Sequence, residues 1–429
     1  MKISIIGSGH VGLVTGAGFA DIGHEVICMD HDAQKIKMLA RGKIPFYEPG
    51  LLELVRKNSS EGRLQFTTSV KEAVRCSTVL FLCVGTPPKD DGEADLTAIE
   101  NVARSIGQNL TEYRLVVEKS TVPVETGAQL RKMIVSSTRR KINFDVAANA
   151  EFLREGTAVH DFYNPDRIIL GVETPRAKQL LLEIYKSFKV PVLVTDVRSA
   201  EMIKHASNSF LAMKISYINL ISQMCEKIGA DIVKVAEGMG TDRRIGKTFL
   251  NAGIGFGGSC FPKDLVAFIK IGEKLNVPCN LLQEVVEINQ YQKIHFVKKV
   301  ERAVQNLKGK TLGVLGLAFK PDTDDIRNSP AIDILEELKN RGAKIKAYDP
   351  CAMAAAKSIL KKVQFAKNPY QACRGADAVL VLTEWREFRD LDLKKLKRSL
   401  KKAVIVDGRN IYDPAIMKKN GFRYYSIGR

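Results

Sequence analysis

The densest group of reactive side chains lies in Gly255-Phe256-Gly257-Gly258-Ser259-Cys260-Phe261-Pro262-Lys263-Asp264, where a thiol, an ammonium and a carboxylate fall close together. Proline suits the first position of a helix, which places Cys260 just before a helix start. An ordinary thiol, with a pKa of about 8.5, is only a few per cent ionised at neutral pH. A helix N-terminus and a neighbouring ammonium favour the thiolate, so Cys260 is a candidate nucleophile. The glycines allow a ligand or a backbone to pack against the sulfur. A buried, inert cysteine is the competing reading; the glycine loop, the proline and the charged pair weigh against it.

Two further pairs stand four residues apart. Lys204 and Asn208 in Glu201-Met202-Ile203-Lys204-His205-Ala206-Ser207-Asn208 share one helix face, and an ammonium with an amide can hydrogen-bond an oxyanion. Exposed helices carry such pairs for no chemical reason, so spacing alone does not decide. Glu151 and Glu155 have the same relation if their segment is helical, and paired carboxylates can serve as a general base or as ribose ligands. An ordinary acidic helix start is the alternative there.

A third feature is Gly7-Ser8-Gly9-His10-Val11-Gly12, which follows a predicted strand and opens a predicted helix. Its glycines permit a tight turn, a close approach to a pyrophosphate and close helix–strand packing, with the helix N-terminus facing the phosphates. The next strand ends in Cys28-Met29-Asp30, about twenty residues on, where a carboxylate can hydrogen-bond a ribose 2′-hydroxyl. That carboxylate repels a 2′-phosphate, so NAD is favoured over NADP. His10 reads as a solvent-facing filler.

These residues need elements to hold them. Strand-like and helix-like segments alternate over the first ~195 residues, with strands at Ile3–Ile6, Glu25–Met29, Val79–Val84, Leu115–Glu118 and Ile168–Val172 and helices such as Leu96–Leu110 and Glu125–Val135. This alternation predicts right-handed βαβ units and a parallel sheet. A long helical pattern from Ser199 to about Ile228 and a second over Leu281–Leu307 flank the glycine-rich loop. From Lys310 the alternation restarts, with strands at Thr311–Leu317, Lys344–Tyr348, Ala378–Leu382 and Ala403–Val406 and a helix over Ala331–Lys339. This second unit is a weak repeat of the first. Its first turn, Gly313-Val314-Leu315-Gly316-Leu317-Ala318, lacks the full glycine spacing and is expected to hold something other than a dinucleotide.

Composition narrows the class. At 429 residues the chain exceeds one domain at roughly 150 residues each, and 45% apolar with 27% charged residues is the balance of a globular protein with a core. No run approaches the ~18 apolar residues of a membrane span, and no signal-peptide cleavage site follows the N-terminal strand, so the protein is expected in the cytoplasm. The net charge of +18 raises nucleic-acid binding as a reading, yet the lysines are dispersed. The densest run, Lys394–Lys402, has leucines at helical spacing, as on a solvated amphipathic face. A positive field also suits an anionic substrate. The eight cysteines include no C-x-x-C pair, so no zinc or dithiol motif is read and no metal is expected.

At these residues the sequence resembles the UDP-glucose/GDP-mannose dehydrogenase family over almost its whole length. The match rests on the N-terminal fingerprint, Tyr47-Glu48-Pro49-Gly50-Leu51, Gly85-Thr86-Pro87, Ser120-Thr121-Val122-Pro123, Glu151–Gly156, Lys204–Asn208, Arg244-Ile245-Gly246, the cysteine loop, and Ala318-Phe319-Lys320-Pro321-Asp322-Thr323 through Arg327. Ala150 departs from the proline usual before the glutamate. The resemblance implies an α/β chain of two Rossmann-like, doubly wound parallel-sheet domains joined by a central domain built on a long helix. Its parts would be an NAD domain over 1–195, a central dimerisation and catalytic domain over 196–305, and a UDP-sugar domain over 306–429.

By the same resemblance UDP-glucose is the expected substrate and a homodimer through the central helices the expected assembly. Phe261, where GDP-mannose enzymes tend to have leucine, favours glucose over a GDP-mannose or N-acetylated UDP-sugar substrate. Carried over by motif, Cys260 forms a thiohemiacetal and then a thioester, Lys204 and Asn208 stabilise the oxyanion, Asp264 activates or positions water, and Thr121 and Glu151 order hydrolysis. Gly7, Gly9, Val11, Gly12, Asp30, Lys35, Thr86, Thr121, Glu155, Lys263 and Arg327 match NAD positions. Glu151, Phe152, Leu153, Arg154, Glu155, Lys204, Asn208, Arg244, Phe249, Leu250, Asn251, Ala252, Gly253, Gly257, Lys320 and Arg409 match positions holding the UDP-sugar.

Overall fold

A computed structural model describes residues 1–138 and 141–429. They form two compact units, one of Met1–Ser207 with Val266–Asn276, the other of Asn208–Leu265 with Val277–Arg429. The fold is mixed α/β, with two sheet domains and a helical region between them along the chain.

The first unit is built on eight strands: β1 Lys2–Ile6, β2 Glu25–Met29, β3 Leu64–Thr67, β4 Val79–Leu82, β5 Arg114–Glu118, β6 Phe144–Ala148, β7 Ile168–Gly171 and β8 Val192–Thr195. Their order is β3-β2-β1-β4-β5-β6-β7-β8. The central strands are apolar runs buried on both faces, as in Val79–Leu82, because helices cover a parallel sheet on each side. One expectation needs correcting: β6 and β7 run antiparallel, touching at Ala148 and Gly171, so the sheet is parallel from β3 to β6 and reverses for its last pair. The order β3-β2-β1-β4 puts the chain's switch point between β1 and β4, at whose carboxyl ends ligands of such sheets bind.

The second unit carries β9 Thr311–Leu315, β10 Lys344–Tyr348, β11 Val363–Phe365, β12 Ala378–Val381, β13 Val404–Asp407 and β14 Arg423–Ser426. All pairs are parallel, in the order β11-β10-β9-β12-β13-β14, which repeats the first six strands of the other sheet. Its core packs the sheet against the helix Asn280–Val304 through Phe296, Val297 and Val300. The long pattern read from Ser199 is one helix of 32 residues, Val197–Ile228, which supplies residues to both units, as does Phe261–Lys274.

Candidate active site

In the first unit the turn after β1 shows what each glycine is for. Gly7 has φ +101, and a Cβ on it would lie 2.7 Å from the Cys83 carbonyl oxygen; one on Gly12 would lie 1.8 Å from that of Gly7. Both are fixed by their own protein. A Cβ on Gly9 would meet nothing within 4 Å. Gly9 also precedes the helix His10–Asp21, whose N-terminus has no side-chain cap. Backbone N–H groups at that end are thus left for an anion. Asp30, at the end of β2 and 4% exposed, accepts from the Ser8 N–H at 2.9 Å and from Lys35 Nζ at 2.7 Å. Burial pushes its carboxyl up, but Lys35 and the N–H donors outweigh that and hold it below the ordinary carboxylate range. The residues therefore fit an NAD pyrophosphate and ribose. Lys35, matched to a cofactor contact, bonds Asp30.

His10 is not a solvent-facing filler. Its ring stacks on Phe46 at 4.5 Å, and Nε2 lies 2.8 Å from the Glu48 carboxylate. Glu48 accepts from the N–H groups of Gly156 and Ala158 at 2.7 and 2.8 Å, anchoring the segment that carries Glu151 and Glu155. The motif around Glu48 was visible in sequence, but this bracing crosses more than a hundred residues.

That segment is not helical between residues 149 and 157, so Glu151 and Glu155 do not share a helix face. Glu151 instead bends back to accept from the Leu153 N–H at 2.8 Å. Lys204 Nζ donates to the Glu151 carbonyl at 2.6 Å and its carboxylate at 3.0 Å, and lies 5.1 Å from the centre of the Phe152 ring. Both Lys204 and Glu151 are buried. Arg154 forms a two-pronged pair with Asp161. Thr121 follows β5 in a loop whose carbonyl accepts from Thr86 Oγ1 at 2.8 Å. Val11 is half-buried beside the core of this unit.

In the second unit Cys260 is exposed and directly precedes the helix Phe261–Lys274. Its carbonyl accepts the Asp264 N–H at 2.8 Å, so it is the helix N-cap; the helix starts at Phe261, with Pro262 second rather than first. Asp264, 2% exposed, joins the charged groups: Lys263 Nζ donates to Oδ1 at 2.6 Å and Asn208 Nδ2 to Oδ2 at 2.7 Å. Asp264 takes one N–H of the Asn208 amide, which carries two.

The glycine loop packs chiefly against its own chain. A Cβ on Gly257 would lie 2.2 Å from the Asn328 carbonyl oxygen and one on Gly258 2.8 Å from the Phe319 ring. Leu250 and Ala252 belong to the core, so they can offer a substrate only backbone. Phe249 has φ +64, Asn251 is exposed, and the loop is tied down by Gly253 N–H to Asn219 and Gln292 Nε2 to the Gly253 carbonyl. Arg409 bonds the carbonyls of Leu382, Gly255 and Phe319. Arg244 pairs with Asp242 and Arg327 with Asp325 on exposed surface, and Lys320 lies over the Phe319 ring. Asn219, Gln292 and Asn289, whose amide bonds both the N–H and the carbonyl of Phe256, escaped sequence reading because isolated amides on helices carry no spacing signal.

Known proteins match along the entire chain. Sequence models of the UDP-glucose/GDP-mannose dehydrogenase family match its NAD binding domain to residues 1–189, its central domain to 198–291 and its UDP binding domain to 313–414. The chain belongs to this family. As a member it is an NAD-dependent oxidoreductase. The UDP-glucose 6-dehydrogenase TuaD of Bacillus subtilis is 47% identical over 429 residues, covering all of this chain and 93% of that protein. The UDP-glucose 6-dehydrogenase of Rhizobium meliloti is 46% identical over the full length of both. Among solved structures, a UDP-glucose dehydrogenase from Pyrobaculum islandicum superposes with a TM-score of 0.93 at 39% identity, covering 100% and 97% of the two chains. A UDP-D-ManNAc dehydrogenase from Pyrococcus horikoshii gives 0.88 at 27%, covering 100% and 99%.

Proposed function

We propose that this member oxidises the C6 alcohol of UDP-glucose to a carboxylate through a thioester on Cys260, consuming two NAD. One observation carries the reading: an exposed thiol caps a helix whose first turn holds Asp264, buried and bonded to both Lys263 and Asn208. The higher identity to UDP-glucose enzymes than to the N-acetylated-sugar enzyme supports glucose as the sugar.

NAD, when bound, would supply the hydride acceptor for each oxidation at C6, while the proton of the oxidised hydroxyl passes to water. After the first, the Cys260 thiolate attacks the aldehyde carbon, forming a C–S bond and an alkoxide that is protonated to the thiohemiacetal. Lys204 and Asn208, one helical turn apart, donate to that oxygen as its charge develops. Loss of the second hydride leaves a thioester. Water then adds to its carbonyl, the C–S bond breaks, and the sulfur departs as thiolate. Asp264 positions Asn208 and the water, with Glu151 and Thr121 ordering this last step. Gly7, Gly9, Gly12 and Asp30 hold the dinucleotide, and Val11, Lys35, Thr86, Glu155, Lys263 and Arg327 match cofactor positions of the family. Phe249–Gly253, Gly257, Arg244, Lys320 and Arg409 take the UDP-sugar, and Phe152, Leu153 and Arg154 match further substrate positions of the family.

The family matches support a division into a cofactor domain over 1–195, a central domain over 196–305 and a nucleotide-sugar domain over 306–429. We infer a homodimer through the long helix. Its Phe210, Tyr217, Met224 and Ile228 are 48–77% exposed at spacings of seven, seven and four, one apolar stripe. Among the described residues no helix is long and apolar enough to cross a membrane, and the cytoplasm is the proposed location.

The test is to count NADH per UDP-glucose consumed and repeat with Cys260→Ser. Two NADH per sugar, with the variant losing about 10³-fold or more in turnover or stalling as a bound intermediate, is the expected result. Two NADH from GDP-mannose or an N-acetylated sugar nucleotide alone would move the substrate. No oxidation of any of them would sink the enzyme reading.

A further inference from the structure

Beneath the loop that carries Thr121 lie two carboxyl groups that the proposed chemistry does not use. Glu118 ends β5 and is 3% exposed; Glu201, on the helix Val197–Ile228, is 5% exposed. Glu201 is well served: its oxygens accept the N–H groups of Glu125 at 2.7 Å and Gly127 at 2.8 Å, at the start of the helix Thr126–Ser137. Neither oxygen of Glu118 has a donor, and the group beside it is the Glu201 carboxyl. A cavity of about 20 Å³ borders both, together with Thr121 and Lys204.

Two buried carboxylates side by side cannot both be charged at tolerable cost. Burial lifts both above the ordinary carboxylate range, Glu118 well above it because the Glu201 charge adds to the desolvation. The two N–H bonds pull Glu201 back toward the anion, so the proton rests on Glu118. Other ionisable groups around the pair are already engaged. Lys119, next along the chain, donates to Asn149, and Lys204 to Glu151. Glu125, at the start of the next helix, faces Arg198, and His205 Nε2 lies 2.6 Å from the Val122 carbonyl.

We propose that Glu118 is kept as the neutral acid, donating a hydrogen bond to the Glu201 carboxylate. This bond is a positioning device that fixes the Thr121 loop against the helix bearing Lys204. Together with the Glu125, Gly127 and Val122 contacts it bolts the loop to that helix along residues 118–127. The assignment of Thr121 and Lys204 rests on the reading above; the protonation state does not.

The infrared carboxylic-acid carbonyl band of the full chain tests it without substrate. The wild type should show a protonated-acid band at neutral pH that fades on alkaline titration and is missing from Glu118→Gln. A group whose folded value is raised contributes stability at low pH and loses it as pH rises through that value. The wild type should therefore lose Tm toward alkaline pH in a step that Glu118→Gln, a permanent neutral donor, lacks. In turnover, Glu118→Ala should lose about ten- to a hundredfold in kcat with KM nearly intact, and Glu118→Gln should restore it to within about twofold. No acid band at neutral pH, or the same alkaline step in Glu118→Gln, overturns the proposal. If Glu118→Ala does not fold, the band and the Tm profile of Glu118→Gln still decide. Failure to oxidise UDP-glucose would strike the functional reading alone.

Discussion

The two sheets share a strand order, and each has an acid at the end of its second strand that reaches the turn after the first. What those acids meet is different. Asp30 accepts from Ser8, Asp32 and Lys35, three donors for a carboxylate with about four acceptor sites, which leaves room for a ribose hydroxyl. Asp349 is fully buried and accepts from the N–H groups of Leu317, Ala318, Cys351 and Ala352 and from the Trp385 indole. Five donors exceed its capacity for a guest. The second turn is also plugged, since a Cβ on Gly316 would lie 2.4 Å from Thr383, whose hydroxyl donates to the Ala318 carbonyl. The same topology therefore builds a ligand site in one place and a structural knot in the other, and the difference lies in who supplies the donors.

The contrast is sharpest if each acid is removed. Asp349→Ala strands five buried donors and should cost about 4 kcal/mol or more, lowering Tm by roughly 10 °C. A variant melting within a degree or two of wild type would erase the distinction. Asp30→Ala strands three donors rather than five, only one of those bonds fully buried, and should cost about 1–2 kcal/mol; it should also raise the KM for NAD about tenfold, with kcat little affected, because it removes ribose binding common to ground and transition states. An unchanged KM would mean that Asp30 is as structural as its counterpart.

The smallest effect concerns acid. Glu226 is half-buried with burial pushing it up, yet His295, Lys299 and the Gly428 N–H hold it down at about 2. A folded value below the ordinary 4.5 means that its stabilisation is complete above that pH and is lost as pH falls toward 2. Melts between those limits should show a decline that Glu226→Gln flattens.

Much of this was legible in sequence where local rules suffice. Gly7–Gly12 with Asp30, and the cysteine ahead of Pro262, depend on neighbours in the chain and on period, and the structure places them in turn and helix-start geometry. The long helix was read nearly to its ends. The misses come from contacts between distant residues. Nothing in the letters around His10 announces Glu48, 38 positions on, and nothing pairs Glu118 with Glu201. The i, i+4 spacing of Glu151 and Glu155 misled because the chain after β6 runs as loop and turn, anchored by Glu48, rather than as a helix. β3 and β8, short and partly polar at the sheet edges, and the alanine-rich β6 lack the long apolar runs that mark a central strand.

The three glycines of the first turn answer to different masters. Gly7 and Gly12 are forbidden a side chain by backbone atoms of their own protein, so any scan that scores abundance in the cell will find them immutable. Gly9 has no such guard. Left to selection for folding alone it is free to drift, and only selection for turnover keeps it bare. The motif that reads as one signature is thus two constraints written over each other, and abundance and flux, scored side by side, would pull them apart.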